Sequence, residues 1–342
     1  MSVLWLSVMA LLAFTLSYVG VMAVRRWSER RGILLDIPNE RSSHYTPVPR
    51  GGGVWIVLVT IGGFAGLLLV KVVPPLWLPY LLGGLLIAFV GGLDDLYSLP
   101  SGLRLGAHLL GATILVVGIG YWRMVELPYF GRIALRGWGL PITLCWVVGL
   151  TNAYNFMDGI DGLAGGQAVV AGIGWAVLGG QFLQPGVIEI SVLLVASSLG
   201  FLMHNWHPAR IFMGDVGATF LGFSFAALTL LEGQLDPRLV TVGVMFVWPF
   251  VFDTSFTFIR RLLKKENVFA AHRSHLYQRL VTLGLRHNQV TLIYLSGSAI
   301  GGTLGLLWWL NVHWAAMGLL VSWIVMAGGL LLSTAWLERK AT

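Results

Sequence analysis

Residues 3–24 read VLWLSVMALLAFTLSYVGVMAV, and this uncharged run decides the fold class. At the rise of an α-helix, about 20 such residues span the roughly 30 Å hydrocarbon core of a bilayer. Arg25, Arg26, Arg30 and Arg31 follow the run, and no basic residue precedes it. A secretory signal peptide has the opposite order of charges. We therefore expect a retained transmembrane helix with its N-terminus outside and its basic end in the cytoplasm.

Similar apolar stretches recur along all 342 residues. The chain is 56% hydrophobic and 11% charged, with a mean hydropathy of +0.79. A soluble domain carries about 25% charged residues, so the composition excludes a soluble protein. We predict one all-α domain over residues 1–342, a polytopic membrane bundle of about eleven transmembrane helices. The predicted spans are 3–24, 53–73, 76–93, 103–121, 139–154, 163–180, 188–204, 217–234, 239–259, 290–310 and 314–336.

The distribution of cations sets the orientation. If the N-terminus is outside (periplasmic) and the spans alternate, the inner loops and a cytoplasmic C-terminus carry 17 of the 22 Lys and Arg residues. This imbalance is what the positive-inside rule requires. It also explains the net charge of +7 without nucleic acid as a partner. The single cysteine, Cys145, excludes a disulfide framework and a cysteine-based metal site.

Carboxylates are scarce, and five of the 15 fall in three motifs on the predicted cytoplasmic face. The first motif, Gly91-Gly92-Leu93-Asp94-Asp95, closes the third span. Adjacent carboxylates repel, and a nearby cation allows both to stay ionised. Oxygen ligands suit a hard cation such as Mg²⁺. Taken alone, Asp94 and Asp95 could be a solvated pair at a helix end, but two further motifs on the same face favour a functional site.

The second motif, NAYNFMDGIDG, occupies residues 152–162 between the fifth and sixth spans. Asp158 and Asp161 are one helical turn apart, so both can face one cavity, and Asn155 lies one turn earlier. An aspartate at a helix start also accepts backbone N–H bonds. The two roles can coexist, and we expect these residues to face a ligand.

The third motif, FMGDVG, occupies residues 212–217 and leads into the eighth span. Asp215 lies between Gly214 and Gly217, a spacing that lets the backbone approach a ligand closely. Phe212 could stack on a planar base, although an aromatic residue beside a span is more often an interface anchor.

Two loops supply positive charge. Residues 39–53, NERSSHYTPVPRGGG, place a glycine run ahead of a helix, where backbone N–H groups favour an anion. The loop 260–289 begins with Arg260, Arg261, Lys264 and Lys265, which the positive-inside rule explains. It continues with His272-Arg273-Ser274-His275. The rule does not explain His275, which can bind a phosphate or exchange a proton. An acidic, metal-suited centre ringed by basic residues on a membrane's inner face fits phosphoryl transfer between a soluble nucleotide and a lipid.

With these motifs in this order, residues 38–275 resemble the polyprenyl-phosphate N-acetylhexosamine-1-phosphate transferase family, glycosyltransferase family 4. The resemblance implies transfer of a sugar 1-phosphate from a UDP-amino sugar to undecaprenyl phosphate, with release of UMP and a need for Mg²⁺ or Mn²⁺. It implies a multi-pass protein of the bacterial inner membrane, with the active site on the cytoplasmic face. The implied branch initiates O-antigen and related lipopolysaccharide glycans. Membrane lipid is then a partner, and a homodimer is left open.

The same resemblance implies roles for individual residues. Asp215, with Asp94 and Asp95, would bind the metal. Asp94 and Asp95 would be the catalytic pair, and Arg273 and His275 would meet the diphosphate. The residues implied to bind substrate are Asn155, Asp158, Asp161, Asn205, Phe212, Thr46, Arg50 and Arg104.

The chain departs from the family pattern at two places. The cell-wall enzymes carry three histidines in a row where this chain has His272-Arg273-Ser274-His275, which argues against a muramoyl-pentapeptide substrate. The lysine that often follows the aspartate pair is replaced by Arg104, with His108 one turn on. The role of Arg104 is therefore open.

The chemistry can be argued from charge. A lipid phosphate monoester is largely dianionic at pH 7, because its second pKa is about 6, and it is then already a nucleophile. Direct in-line attack on the sugar-bearing phosphate needs charge neutralisation more than it needs a general base. A covalent aspartyl-phosphate through Asp94 or Asp95 is the second route, and the sequence does not decide between the two.

Two other functions fit parts of the sequence. A transporter also places carboxylates in a membrane, but it predicts charges near mid-span and inverted repeats. The carboxylates here lie at helix ends, with Asp253 the main exception, which could belong to the site or be a packed polar contact. A CDP-alcohol type transferase is suggested by the Asp158–Gly165 stretch, but the chain lacks that motif's Ala-Arg step and its two later aspartates.

Overall fold

The computed structural model describes residues 2–37, 47–180, 185–267 and 273–341 and shows a helical bundle. Its twelve α-helices over these residues are α1 Val3–Arg31, α2 Gly53–Leu69, α3 Leu78–Tyr97, α4 Ser101–Ile119, α5 Gly139–Met157, α6 Leu163–Gly179, α7 Val187–Asn205, α8 Asp215–Gly233, α9 Arg238–Leu263, α10 Leu276–Thr282, α11 His287–Trp309 and α12 Ala315–Ala341. Two short antiparallel hairpins pair β1 Leu35–Asp36 with β2 Val48–Pro49, and β3 Met124–Leu127 with β4 Gly131–Ala134.

The prediction of an all-α membrane protein is confirmed. Each predicted span coincides with one long helix, and within the described residues eight helices are long and apolar enough to cross a membrane. The apolar helices α2 and α6 have 17 residues each, which gives roughly 26 Å at the helical rise. The β3–β4 hairpin and the short helix α10 were not predicted, because each lies in a connection between predicted spans and hydropathy locates only the spans.

Helix α8 lies at the centre of the bundle, and its apolar segment is fully buried among the other helices. It packs against α3 and α5, and also against α9 and α2. The approach to α2 is possible because both contact positions are glycine. A Cβ atom on Gly53 would lie 2.5 Å from the Cα of Gly217, which is far inside van der Waals contact. Small residues permit such close helix contacts where lipid removes the hydrophobic drive for association.

One end of the bundle collects the sequence motifs, and we call it the motif end. It is formed by the connections 47–52, 98–100, 158–162 and 206–214 and by residues 273–275. The backbone N–H of Gly52 donates to the carbonyl of Phe212 at 2.9 Å, and the hydroxyl of Tyr277 donates to the carbonyl of Phe156 at 2.9 Å. Connections far apart in the chain are thus held together there.

The opposite end carries the β3–β4 hairpin. Glu126 of β3 donates its N–H to the carbonyl of Pro237 at 3.2 Å and accepts at its own carbonyl from the hydroxyl of Thr241 at 2.6 Å. Beside it the Asp236 carboxylate accepts hydrogen bonds from the Arg238 guanidinium, the shortest at 2.8 Å, and from the Trp309 indole at 3.0 Å. These polar contacts pin the start of α9 to the end of α11.

Candidate active site

Two aspartates from the first and third motifs meet at the motif end. The guanidinium Nη1 of Arg104 lies 2.8 Å from Oδ2 of Asp94 and 3.4 Å from Oδ2 of Asp215. The amide of Asn155 donates to the same Asp215 oxygen at 3.2 Å, and the two carboxylates contact each other. Helices α3, α4, α5 and α8 therefore each contribute one polar side chain to one centre.

Asp95 points in a different direction from Asp94. Its two carboxylate oxygens accept from the backbone N–H groups of Asp215 at 3.0 Å and Val216 at 3.1 Å, which are the first two residues of α8. A carboxylate there satisfies N–H groups that a helix start leaves unpaired and complements the helix dipole. Gly214 makes room for it: its φ is +80°, and a Cβ would lie 2.6 Å from Oδ2 of Asp95. Asp95 is 5% exposed, so these hydrogen bonds are shielded from water. Through them Asp95 fixes the position of Asp215 at the start of α8.

A cavity of about 970 Å³ opens beside this centre. Arg104, Asn155, Asp215 and His275 line its polar part. The rest is lined mainly by apolar side chains of α4, α5 and α9, among them Leu105, Trp146, Val251 and Phe258. The cavity can therefore take a molecule with an anionic group at one end and an apolar body.

His275 is held against a buried carboxylate. Its Nδ1 lies 3.1 Å from Oδ1 of Asp253, which is fully buried in α9. Asp253 also accepts from the backbone N–H groups of Leu276 and Tyr277 at 2.9 and 3.0 Å and from the hydroxyl of Tyr294 at 2.6 Å. A carboxylate on one ring nitrogen fixes the tautomer and orientation of a histidine. Asp253 is therefore connected to the predicted site through its direct contact with His275.

The connection 158–162 brings a half-buried aspartate close to the centre. Burial, together with the negative charges of Asp215 and Asp95, raises the pKa of Asp158 well above its usual value. No other described residue donates a hydrogen bond to its carboxylate. A carboxylate repelled by its neighbours and lacking a partner is suited to a cationic or hydrogen-bond-donating ligand.

Asp161 faces two histidines. Its Oδ2 lies 2.7 Å from Nδ1 of His207 and accepts from the N–H of Ala209 at 3.1 Å, and its Oδ1 lies 3.3 Å from Nδ1 of His287. Burial raises the pKa of Asp161, but the contacts with both histidines and the Ala209 N–H outweigh it and leave the pKa below its usual value. Sequence reasoning missed His207 and His287. The only available signal was that seven of the eight histidines fall at or near predicted inner loops.

The other predicted residues that the structure describes lie around this centre. Asn205 accepts from the N–H of Gly162 at 3.0 Å and donates to the carbonyl of Ile211 at 2.9 Å, so it joins two motif connections. The guanidinium of Arg50 donates to the backbone carbonyl of Asp95. Phe212 and Arg273 lie at the motif end but do not line the cavity. Thr46 lies outside the described residues.

The donor set at the centre fits a hard divalent cation. Asp94 and Asp215 supply carboxylate oxygens, Asn155 supplies an amide oxygen, and no sulfur lies among them. Mg²⁺ prefers such ligands. The Arg104 guanidinium lies against the carboxylates of Asp94 and Asp215, so these two side chains already hold one positive charge between them.

Comparison with known proteins points to one family. Residues 77–232 match the model of glycosyl transferase family 4. The chain is 35% identical over 297 residues to a probable undecaprenyl-phosphate N-acetylglucosaminyl 1-phosphate transferase of Bacillus subtilis (strain 168), covering 83% of this chain and 81% of the relative. It is 31% identical over 323 residues to the decaprenyl-phosphate N-acetylglucosaminephosphotransferase of Mycobacterium tuberculosis (strain CDC 1551 / Oshkosh), covering 84% and 78%.

A third similarity is to the cell-wall branch. The chain is 34% identical over 256 residues to a phospho-N-acetylmuramoyl-pentapeptide-transferase of Synechococcus sp. (strain RCC307), and the match covers 68% of each chain.

Proposed function

The chain belongs to glycosyl transferase family 4 and is a membrane-bound polyprenyl-phosphate sugar-1-phosphate transferase, and on that premise we propose its substrates. The donor is a UDP-amino sugar, the acceptor is undecaprenyl phosphate, and the products are UMP and a polyprenyl-diphosphate-linked sugar. The names of the two polyprenyl-phosphate relatives support N-acetylglucosamine as the sugar. The product would start a cell-surface glycan such as an O-antigen. The predicted inner loops, which include the motif-end connections, carry 17 of the 22 Lys and Arg residues, and this excess supports a cytoplasmic site in a bacterial inner membrane.

The observation that supports this proposal best is the meeting of Asp94, Asp215, Asn155 and Arg104. The last three of these residues line the polar part of a largely apolar cavity. The four come from positions up to 121 residues apart and meet within hydrogen-bond or ion-pair distance. A transferase that joins a soluble nucleotide sugar to a lipid phosphate needs such a boundary between charged and apolar surfaces.

The chemistry follows from the charges that must be brought together. An oxygen of the lipid phosphate attacks the sugar-bearing phosphorus of the donor, and the bond from that phosphorus to the bridging oxygen of UMP breaks. Both reactants are anions, so their approach requires positive charge in a region of low dielectric. Arg104 and His275 line the cavity and can face those phosphates. A divalent cation held by Asp94, Asp215 and Asn155 would neutralise phosphate charge and polarise the reacting phosphoryl group.

The structure bears on the choice between direct and covalent routes. Both oxygens of Asp95 accept backbone hydrogen bonds from α8, so Asp95 is poorly placed to act as a nucleophile. Asp94 is held by the Arg104 guanidinium and by the N–H of Leu99 at 2.6 Å. Such contacts lower the nucleophilicity of a carboxylate, and we therefore favour direct displacement by the lipid phosphate.

A product assay tests the proposal. Purified protein with Mg²⁺ and undecaprenyl phosphate is given a panel of UDP-sugars, and the released nucleotide and lipid product are identified. We expect UMP and a lipid-linked N-acetylhexosamine diphosphate, and no turnover after EDTA until Mg²⁺ or Mn²⁺ is restored. Release of UDP would mean ordinary glycosyl transfer, and uptake of UDP-sugar into proteoliposomes without any new lipid would mean a transporter. Either outcome contradicts the proposal.

A further inference from the structure

A second group of metal-ligating side chains lies at the motif end, formed by Asp161, His207 and His287. Their ligand atoms, one carboxylate oxygen and two ring nitrogens, all lie within 4.8 Å of one another. The three residues come from the α5–α6 connection, the α7–α8 connection and the first turn of α11. None of them belongs to the centre around Asp94 and Asp215.

The chemistry of this group suits a transition metal. Two imidazole nitrogens and one carboxylate oxygen form a common ligand set for catalytic and open-sided zinc sites. The Nδ1 atoms of His207 and His287 face the two oxygens of the Asp161 carboxylate at 2.7 and 3.3 Å. A bound cation would take the place of the protons at these contacts, because metal ligands must be deprotonated. Borderline-soft nitrogen ligands favour Zn²⁺ over Mg²⁺, so the two centres would select different ions.

Hydrogen bonds hold Asp161 in place, as groups that donate to metal ligands do in known metal sites. The N–H of Ala209 donates to Oδ2 at 3.1 Å, and the hydroxyl of Thr291 donates to the Asp161 carbonyl at 2.9 Å. The side chain of His207 is 36% exposed, which leaves one side of the group open to water. A fourth ligand can therefore come from solvent.

We propose that Asp161, His207 and His287 bind one Zn²⁺ that ties the connection 158–162 to the α7–α8 connection and to α11. The bound ion holds Asp158 at its distance from Asp215, because Asp158 and Asp161 share one short connection. The site is independent of the proposed sugar transfer, since zinc can be measured without either substrate.

Zinc content tests the proposal. The full-length protein is purified through a histidine-free tag, washed with excess Mg²⁺ and analysed for bound metals. We expect about one zinc per chain in the wild type and in Asp215→Asn, in line with a single site of this ligand set. The double variant His207→Ala/His287→Ala should lose most of it, and His313→Ala, an exposed histidine at the opposite end, should keep it.

Two further measurements keep the test informative if the double variant folds poorly. Cobalt added to the chelator-treated wild type should give the visible absorption of a nitrogen- and oxygen-ligated site, and one equivalent of zinc should remove it. A zinc-specific chelator should lower the melting temperature of the wild type and not that of His207→Ala. Wild-type protein without zinc or a cobalt signal, or a double variant with undiminished zinc, would overturn the proposal whatever the transfer activity.

Discussion

The carboxylate of Asp95 accepts a hydrogen bond of 3.0 Å from the backbone N–H of Asp215, so one motif aspartate sets the position of another. The neighbouring Asp94 instead faces Arg104. Two adjacent residues of one type therefore have separable roles. Asp95 supports the start of α8, while Asp94 belongs to the charged centre.

Asparagine substitutions should separate these roles. Asp95→Asn places an amide N–H₂ against one of two backbone N–H groups, and an unsatisfied buried donor destabilises by about 1–3 kcal/mol. We expect a lower melting temperature together with reduced transfer. Asp94→Asn keeps one oxygen for the Leu99 N–H but loses its charge beside Arg104, so we expect a smaller drop in melting temperature and a loss of transfer of at least about 100-fold. Equal melting temperatures for the two variants would contradict this division.

Arg104 should be needed for turnover. Arg104→Gln removes the cation that lies against Asp94 and Asp215, and we expect kcat to fall by about 10²- to 10³-fold, the usual loss for one electrostatic contact at a reacting phosphate. Arg104→Lys should recover part of that loss, because lysine restores the charge but not the planar fork. Arg123→Gln, an exposed arginine at the opposite end, is the control. Arg104→Gln activity within twofold of the wild type would exclude this role.

Asp253 should act through His275. His275→Ala should lower kcat by about 10²-fold or more, the range expected for a proton-transfer or phosphate-contacting histidine. Asp253→Asn should lower kcat as well and should also lower stability by about 3 kcal/mol, because a buried carboxylate loses its charge among several donors. Asp253→Glu should restore activity in part. If Asp253→Asn changed only KM for the nucleotide sugar, the orienting role would be wrong.

The opposite end should show a pH-dependent stability. Hydrogen bonds from Arg238 and Trp309 outweigh the effect of burial and lower the pKa of Asp236. A carboxyl whose pKa is lower folded than unfolded stabilises the protein above its unfolded pKa of about 3.9, and the stabilisation is lost as pH falls through the folded value. Asp236→Asn should therefore melt at a lower temperature than the wild type at pH 7. The difference should shrink below about pH 4. A difference that stays constant down to pH 3 would contradict the assignment.

Much of the fold could be predicted because each helix carries its own signal. Long uncharged stretches can bury their apolar surface only in lipid, so hydropathy alone located the eleven helices of the described residues that coincide with predicted spans. The meeting of Asp94 with Asp215 followed from topology, since loops assigned to one membrane face must share one end of the bundle. The β3–β4 hairpin carries no such signal and depends on its contact with the start of α9.

What the sequence could not show are contacts that depend on side-chain direction. Asp94 and Asp95 are adjacent, and only the packing of α3 against α8 decides which of them faces the N–H groups of Asp215 and Val216. Asp161 was predicted to bind substrate, and its contacts with His207 and His287, which lie 46 and 126 residues away, were not predicted. Spacing along one helix cannot reveal partners that other connections bring in.

The central claim is that Asp215 and its neighbours form the reacting centre, and UMP release tests it most directly. Asp215→Asn and Arg30→Ala, an exposed arginine of α1, are compared with the wild type in the undecaprenyl phosphate assay at matched protein and Mg²⁺ concentrations. We expect Asp215→Asn to release no UMP above background and Arg30→Ala to match the wild type. Equal UMP release by the two variants would contradict the account.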